Sequence, residues 1–260
     1  MTTETPESLN FRLGMIRRHL KGVGRVVLVL SGKGGVGKSV ISAALAAQLA
    51  GAGKRVGLID ADVYGPSAAL LFNSNSLPEE NEGGLTPPMV DGVNLMSVDL
   101  FASGRPIPLT GHGASQVVLE LLALTDWGKL DFLIVDMPPA TGDIMLTLTS
   151  VGGNQLEAIV VTMPDVLSTS VAHRVLELLH SGGTPTMGVL ENMSRSSGRR
   201  SVGKGRGPRA LAKEFDVKFL GAIPYDPKVA EAVNEQDIGA LLSTGFAKEL
   251  RRSVASRLLQ

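Results

Sequence analysis

Eight consecutive residues hold the densest chemistry in the chain: Gly32-Lys33-Gly34-Gly35-Val36-Gly37-Lys38-Ser39. Their spacing fits G-x-x-x-x-G-K-[ST], the pattern of a loop that cradles phosphate. Glycines let successive backbone N–H groups turn inward around phosphate oxygens without a Cβ in the way. A helix starting at the end of the loop adds the partial positive charge of its N-terminus. Lys38 can then reach β- and γ-phosphate oxygens, and the Ser39 hydroxyl can ligate magnesium. Two acidic sites complement the loop. Asp60-Ala61-Asp62 follows the apolar run 56–59, and Asp136 follows the run 132–135. Ligands of open α/β sheets collect at the carboxyl ends of strands, so these carboxylates can face the phosphates and their metal. Any one of the three is also the kind of residue that caps a helix or closes a turn. The phosphate loop beside them is what argues for more.

These residues need elements to hold them. Val26-Val27-Leu28-Val29-Leu30, just before the loop, reads as a strand buried on both faces. An Ala/Leu-rich helix is predicted over 40–52, closed by Gly53. Strands are predicted over 56–59, 93–98, 132–135, 158–162, 187–190 and 219–223. Helices are predicted over 114–124, 144–151, 168–180, 209–215 and 245–259. Short apolar strands alternating with helices predict an α/β fold, a doubly wound, mostly parallel sheet flanked by helices. A polar arm and a short basic helix occupy 1–24, and a single domain is expected over 25–260. Two loops interrupt the pattern: 73–88, polar and read as a mobile excursion, and 194–208, rich in Ser, Gly and Arg and read as flexible.

Composition narrows the function. Of 260 residues, 43% are hydrophobic and 19% charged, enough apolar mass for one large core. Lys+Arg and Asp+Glu are both 25, so net charge makes no case for a polyanion binder. There is no cysteine, which removes disulfides, thiolate metal sites and cysteine nucleophiles from this chain. No apolar run is long enough to span a bilayer and residues 1–10 lack a signal-like core, so a cytoplasmic protein is expected.

Lys33, a second lysine directly after Gly32, makes SGKGGVGKS the deviant form of the phosphate loop and resembles the MinD/ParA/Mrp branch of P-loop ATPases. Further blocks narrow the resemblance: DADVYGPS (60–67), WGKLDFLIVDMPPATGD (127–143), GVLENMS (188–194) and GAIPYDP (221–227). Together they look like the Mrp/ApbC-type ATPases, a family that contains the cytosolic iron–sulfur cluster carriers. The resemblance implies ATP and Mg²⁺ as ligands and a nucleotide-promoted homodimer, with Lys33 contacting nucleotide held by the partner subunit. It implies that Asp60 holds magnesium through water, that Asp62 orients the attacking water, and that Asp136 is the Walker-B carboxylate. Asn192 matches the family's adenine-reading asparagine, and Pro224 and Asp226 match the segment lining the base.

The sequence also departs from the family. Carriers of this type place Cys-x-x-Cys shortly after the ENMS block, where this chain has Ser and Arg and no Cys. With no thiolate, a Cys-ligated cluster is not expected here. Val40 stands where the family often has Thr, losing a side-chain contact to the α-phosphate and keeping the backbone one. Ala140 replaces a Gly in the PPGTGD turn. The basic loop reads either as a site for an acidic partner, nucleic acid or anionic surface, or as a solvated remnant. The C-terminal stretch with Phe246, Leu250, Val254 and Leu258 at helical spacing fits a helix packed on the sheet better than a membrane-surface helix. The expected protein is an ATPase of slow intrinsic turnover. It acts in metallocofactor or iron–sulfur protein assembly, and its client is unknown, a Cys-bearing assembly partner among the candidates. The alternatives are a MinD/ParA-like positioning or regulatory ATPase and a non-hydrolysing adaptor.

Overall fold

The computed structural model describes residues 6–102, 111–138, 142–194 and 207–260. The chain opens with α1 (Pro6–Leu20), β1 (Val23–Ser31), α2 (Lys38–Gly51) and β2 (Val56–Asp60). A short α3 (Ala68–Leu71) leads to β3 (Glu79–Asn81), β4 (Gly84–Thr86), β5 (Met89–Val90) and β6 (Val93–Ser97). Next come α4 (Asp99–Ala102), α5 (Gly111–Leu124), β7 (Leu130–Asp136), α6 (Gly142–Gly152), β8 (Leu156–Thr162), α7 (Val166–Ser181) and β9 (Thr186–Ser194). The chain ends with α8 (Pro208–Glu214), β10 (Phe219–Pro224), α9 (Pro227–Asn234), α10 (Ile238–Leu242), α11 (Gly245–Leu250), a π-helical turn (Arg251–Ala255) and α12 (Ser256–Leu258).

Eight strands form one sheet in the order β10-β9-β8-β1-β7-β2-β6-β5. Every pairing is parallel except that of the edge strand β5 with β6. β1 lies between β7 and β8, covered on both faces, which is why its sequence is a continuous apolar run. Val26, Leu28 and Leu30 join the core beneath α1, α5, α6 and α7. Val27 and Val29 join the opposite core beneath α2 and the C-terminal helices. The predicted doubly wound sheet is therefore present, with the phosphate loop leaving the carboxyl end of a central strand.

Three elements differ from the sequence expectation in detail. Ile16 and Leu20 of α1 are buried in the core, because α1 lies across α5 and α6. The segment 73–88, read as a mobile excursion, contains the antiparallel hairpin β3–β4. Asn81 Oδ1 accepts the N–H groups of Gly83 and Gly84 at its tip, and the Asp126 N–H donates to the Leu85 carbonyl, tying the hairpin to the segment after α5. The C-terminal helix expected over 245–259 runs from Gly245 to Leu258 with a π-helical turn in its middle. Phe246, Leu250, Val254 and Leu258 are all buried, so this segment packs on the sheet. Among the described residues no helix is long and apolar enough to cross a membrane.

Candidate functional site

The loop between β1 and α2 follows from local sequence. Ser31 Oγ donates to the Lys33 carbonyl at 3.1 Å, starting the turn. Gly37, at the N-cap of α2, has φ 83° and ψ 18°, a left-handed conformation that disfavours a side chain. A Cβ there would also lie 2.5 Å from Asn192 Nδ2. With glycine at the cap and no acidic residue in the first turn, the N-terminal donors of α2 have no side-chain cap, the arrangement that favours an anion. Gly34 and Gly35 are exposed at the loop mouth with open space above them. Val36 is buried, and Ser39 and Val40 are half-buried.

Lys38 is buried, and its Nζ lies 2.6 Å from Asp136 Oδ1 and 3.4 Å from Ser39 Oγ. The parallel register of β2 and β7 sets Asp60 opposite Asp136. Asp60 is fully buried. Its Oδ1 accepts the Asp62 N–H at 3.0 Å, and its Oδ2 accepts Ser67 N–H at 2.7 Å and Ala68 N–H at 2.9 Å. It therefore shapes the turn into α3 as well as facing the site, so the turn-closing reading of this residue is true alongside the functional one. Burial pushes its pKa up to about 7, and the Asp136 charge adds to the rise, against the three backbone donors. Asp62 is half-exposed, and its Oδ1 accepts the Gly65 N–H at 3.3 Å.

Two buried carboxyl groups thus lie side by side, Lys38 pairs with Asp136, and among the described residues Asp136 Oδ2 is buried without a hydrogen-bond partner. A divalent cation fits this donor set: hard oxygen groups with excess negative charge, beside a loop built for phosphate. Among the described residues no group of three His, Cys, Asp or Glu side chains forms a protein-only cage. Magnesium in such a site takes one or two protein oxygens and completes its shell with phosphate and water. Ser39, Asp60 and Asp136 are the residues that could serve it.

Beside the loop is a cavity of about 220 Å³, with Gly37, Val40, Asn192, Met193, Pro224 and Tyr225 among its walls. Asn192 is buried at the end of β9, and its Nδ2 donates to the Val36 carbonyl at 2.8 Å. Asp226 also lines the cavity. Its carboxylate accepts the Lys228 N–H at 3.1 Å and the Phe246 N–H at 3.2 Å, joining α9 to α11 behind the pocket. The sequence reading missed Met193, Val229, Val233 and Phe246, which complete the apolar wall. The signal available was the i, i+4 spacing of Val229 and Val233 after Asp226-Pro227, a capped amphipathic helix. A larger groove of about 510 Å³ between α7 and α8 shares no lining residue with the phosphate loop.

Lys33 is exposed at the loop mouth. Asp165 is near enough to feel its charge. Burial raises that carboxyl, but the Ser168 donors and the Lys33 charge outweigh it and leave it below the usual range. Residues 139–141 of the turn after Asp136 and 195–206 of the basic loop lie outside the described residues.

Comparison with known proteins agrees with this geometry. Residues 22–258 match the ParA family described as NUBPL iron-transfer P-loop NTPase. The iron-sulfur cluster carrier protein of Rickettsia conorii is 36% identical over 221 residues, covering 84% of this chain and 67% of that protein. The protein of the same name from Methanocaldococcus jannaschii is 33% identical over 255 residues, covering 94% of this chain and 87% of that one. Among solved structures, a nucleotide-binding protein of Archaeoglobus fulgidus in complex with ADP superposes with a TM-score of 0.70 at 30% identity, covering 87% of this chain and 92% of that one. The cell division ATPase MinD of Pyrococcus furiosus shares the fold, with a TM-score of 0.65 at 21% identity over 91% of this chain and all of that one. The deviant phosphate loop, the strand-end carboxylates and the match along nearly the whole chain lead to one assignment: this protein belongs to the ParA-type iron-transfer P-loop NTPase family.

Proposed function

We propose that this protein is a Mg²⁺-dependent ATPase that works as a dimeric switch in iron–sulfur or other metallocofactor assembly, without holding a Cys-ligated cluster itself. The observation that carries the reading is the continuity of one site. A phosphate loop with an uncapped helix N-terminus, a buried lysine and two buried carboxylates opens onto a base-sized cavity walled by Asn192 and Pro224. In this reading the backbone of 32–40 holds the phosphate chain, and Asn192 with Pro224 and Asp226 bounds the base. Lys38 exchanges part of its pairing with Asp136 for the β- and γ-phosphates. Asp62, half-exposed at the carboxyl end of β2, orients the attacking water. Lys33 projects from the loop mouth to serve the nucleotide of a second copy. Bound magnesium would supply positive charge to the phosphates, which the transition state needs. The role in assembly comes from the relatives named above. The absence of cysteine from all 260 residues means that any thiolates must come from a partner.

Lys38→Ala tests the site. A hydrogen bond from a charged group to phosphate contributes about 1.5–3 kcal/mol, so ATP affinity should fall at least about tenfold and hydrolysis should cease. Circular dichroism should show the fold retained. ATP binding and turnover at wild-type level in the variant would refute the assignment.

A further inference from the structure

α2 carries a second hydroxyl that the phosphate-loop pattern does not include. Ser42 stands one helical turn past Lys38 and is 1% exposed. Its Oγ lies 2.8 Å from Asp136 Oδ1 and 3.1 Å from the Lys38 carbonyl oxygen. A serine hydroxyl has one proton to donate. The contact to the carboxylate is the shorter of the two and is charge-assisted, so Asp136 is the favoured acceptor. Bonding back to the carbonyl four residues earlier is what a mid-helix serine does when nothing else is in reach. Here a buried anion is in reach.

Asp136 is therefore held asymmetrically. Oδ1 receives Lys38 Nζ and Ser42 Oγ, while Oδ2 is buried without a partner among the described residues. The terminal torsion of an aspartate is broad, so a carboxylate on its own takes up a range of orientations. Lys38 is a poor sole restraint, because the proposed chemistry moves its ammonium onto phosphate and its stem is flexible. Ser42 takes no part in the proposed phosphate chemistry, and α2, which carries it, packs against β7.

We propose that Ser42 is a positioning residue for Asp136. Its hydroxyl holds Oδ1 so that Oδ2 keeps one orientation toward magnesium while Lys38 passes between carboxylate and phosphate. This inference rests on the magnesium–nucleotide chemistry proposed above.

The test is equilibrium ATP binding to the full chain, with chelator and across a magnesium series. Ser42→Ala should leave metal-free ATP affinity within about twofold of wild type, since the loop backbone and Lys38 are retained. It should raise the magnesium concentration at half-maximal response by about tenfold or more, the loss expected for one hydrogen bond to a charged group. In an Asp136→Asn background the same change should add nothing, because the group it positions has gone. A purely structural serine would give the same effect in both backgrounds. Should Ser42→Ala fail to fold, Ser42→Cys keeps the shape with a weaker donor and should raise the magnesium requirement in the same direction. A normal magnesium response in the Ser42 variants beside a responsive wild type, or an undiminished effect in the Asp136→Asn background, overturns the positioning role alone. A wild type whose ATP affinity ignores magnesium overturns the proposed function and this inference with it.

Discussion

Asn192 gives one of its two amide N–H groups to the Val36 carbonyl, which fixes the side chain and keeps Oδ1 as the acceptor it brings to the cavity it lines. An acceptor in that place suits the exocyclic amine of adenine and opposes the carbonyl that guanine carries instead. The same bond ties the end of β9 to the phosphate loop, and a Cβ on Gly37 would come within 2.5 Å of Asn192 Nδ2, which leaves no room for a larger cap residue. Asn192→Ala removes the acceptor and the tie together. ATP affinity should fall about three- to tenfold, the worth of a hydrogen bond lost in a buried site, and the preference for ATP over GTP should narrow. Competition binding with the two nucleotides checks this, and unchanged discrimination would reassign the base-reading role. Asn192 could be matched from the ENMS block because that block resembles the family's and closes a predicted strand, which the structure extends through Asn192. Ser42 could not be found in that way: nothing local separates it from other small residues of α2, and its partner lies 94 residues away.

At the scale of elements, the back of the base cavity depends on one carboxylate. Asp226 caps α9 through the Lys228 N–H and reaches across to the Phe246 N–H in the first turn of α11. Asp226→Ala should therefore loosen two helices. The loss of a cap costs about 1–2 kcal/mol, or roughly 2–8 °C in melting temperature for a chain of this size. ATP affinity should weaken in parallel, because Val229, Val233 and Phe246 form one wall of the cavity. Thermal melting with and without ATP tests both effects, and a variant as stable as wild type would show that the cap is dispensable. The elements that could be read in advance share a cause. β1 and β7 lie inside the sheet, so burial on both faces makes their sequences continuous apolar runs. Two other elements answer to tertiary contacts that no local pattern records. The hairpin β3–β4 has few buried residues and is held by Asn81 and the segment after α5. The π-helical turn keeps the helical spacing of Phe246, Leu250, Val254 and Leu258, so periodicity reads through it as one helix.

For the whole molecule the question is why a phosphate loop already supplied with Lys38 carries Lys33 too. Within one chain Lys33 is exposed and its clearest electrostatic neighbour is Asp165 at the start of α7, so its charge is not used on a buried group of its own site. A cation at the mouth of the loop has most effect when a second copy closes over it and places it on the other subunit's phosphates, as an arginine finger supplied in trans does. ATP with magnesium should then drive a face-to-face homodimer, and hydrolysis should release it. Lys33→Ala should retain ATP affinity within a few fold, since Lys38 and the loop backbone remain, and lose both turnover and nucleotide-promoted assembly. Asp62→Ala should behave in the opposite way: it removes the group assigned to orient water and leaves the phosphate contacts, so the ATP-bound dimer should accumulate without turnover. Light-scattering mass measured with ATP and with ADP separates the cases. A monomeric Lys33 variant beside a persistently dimeric Asp62 variant supports exchange of lysines between subunits. A Lys33 variant that dimerises and hydrolyses at the wild-type rate, or a wild type that stays monomeric with ATP bound, removes the trans lysine from the mechanism and leaves Lys38 as the lysine of the site.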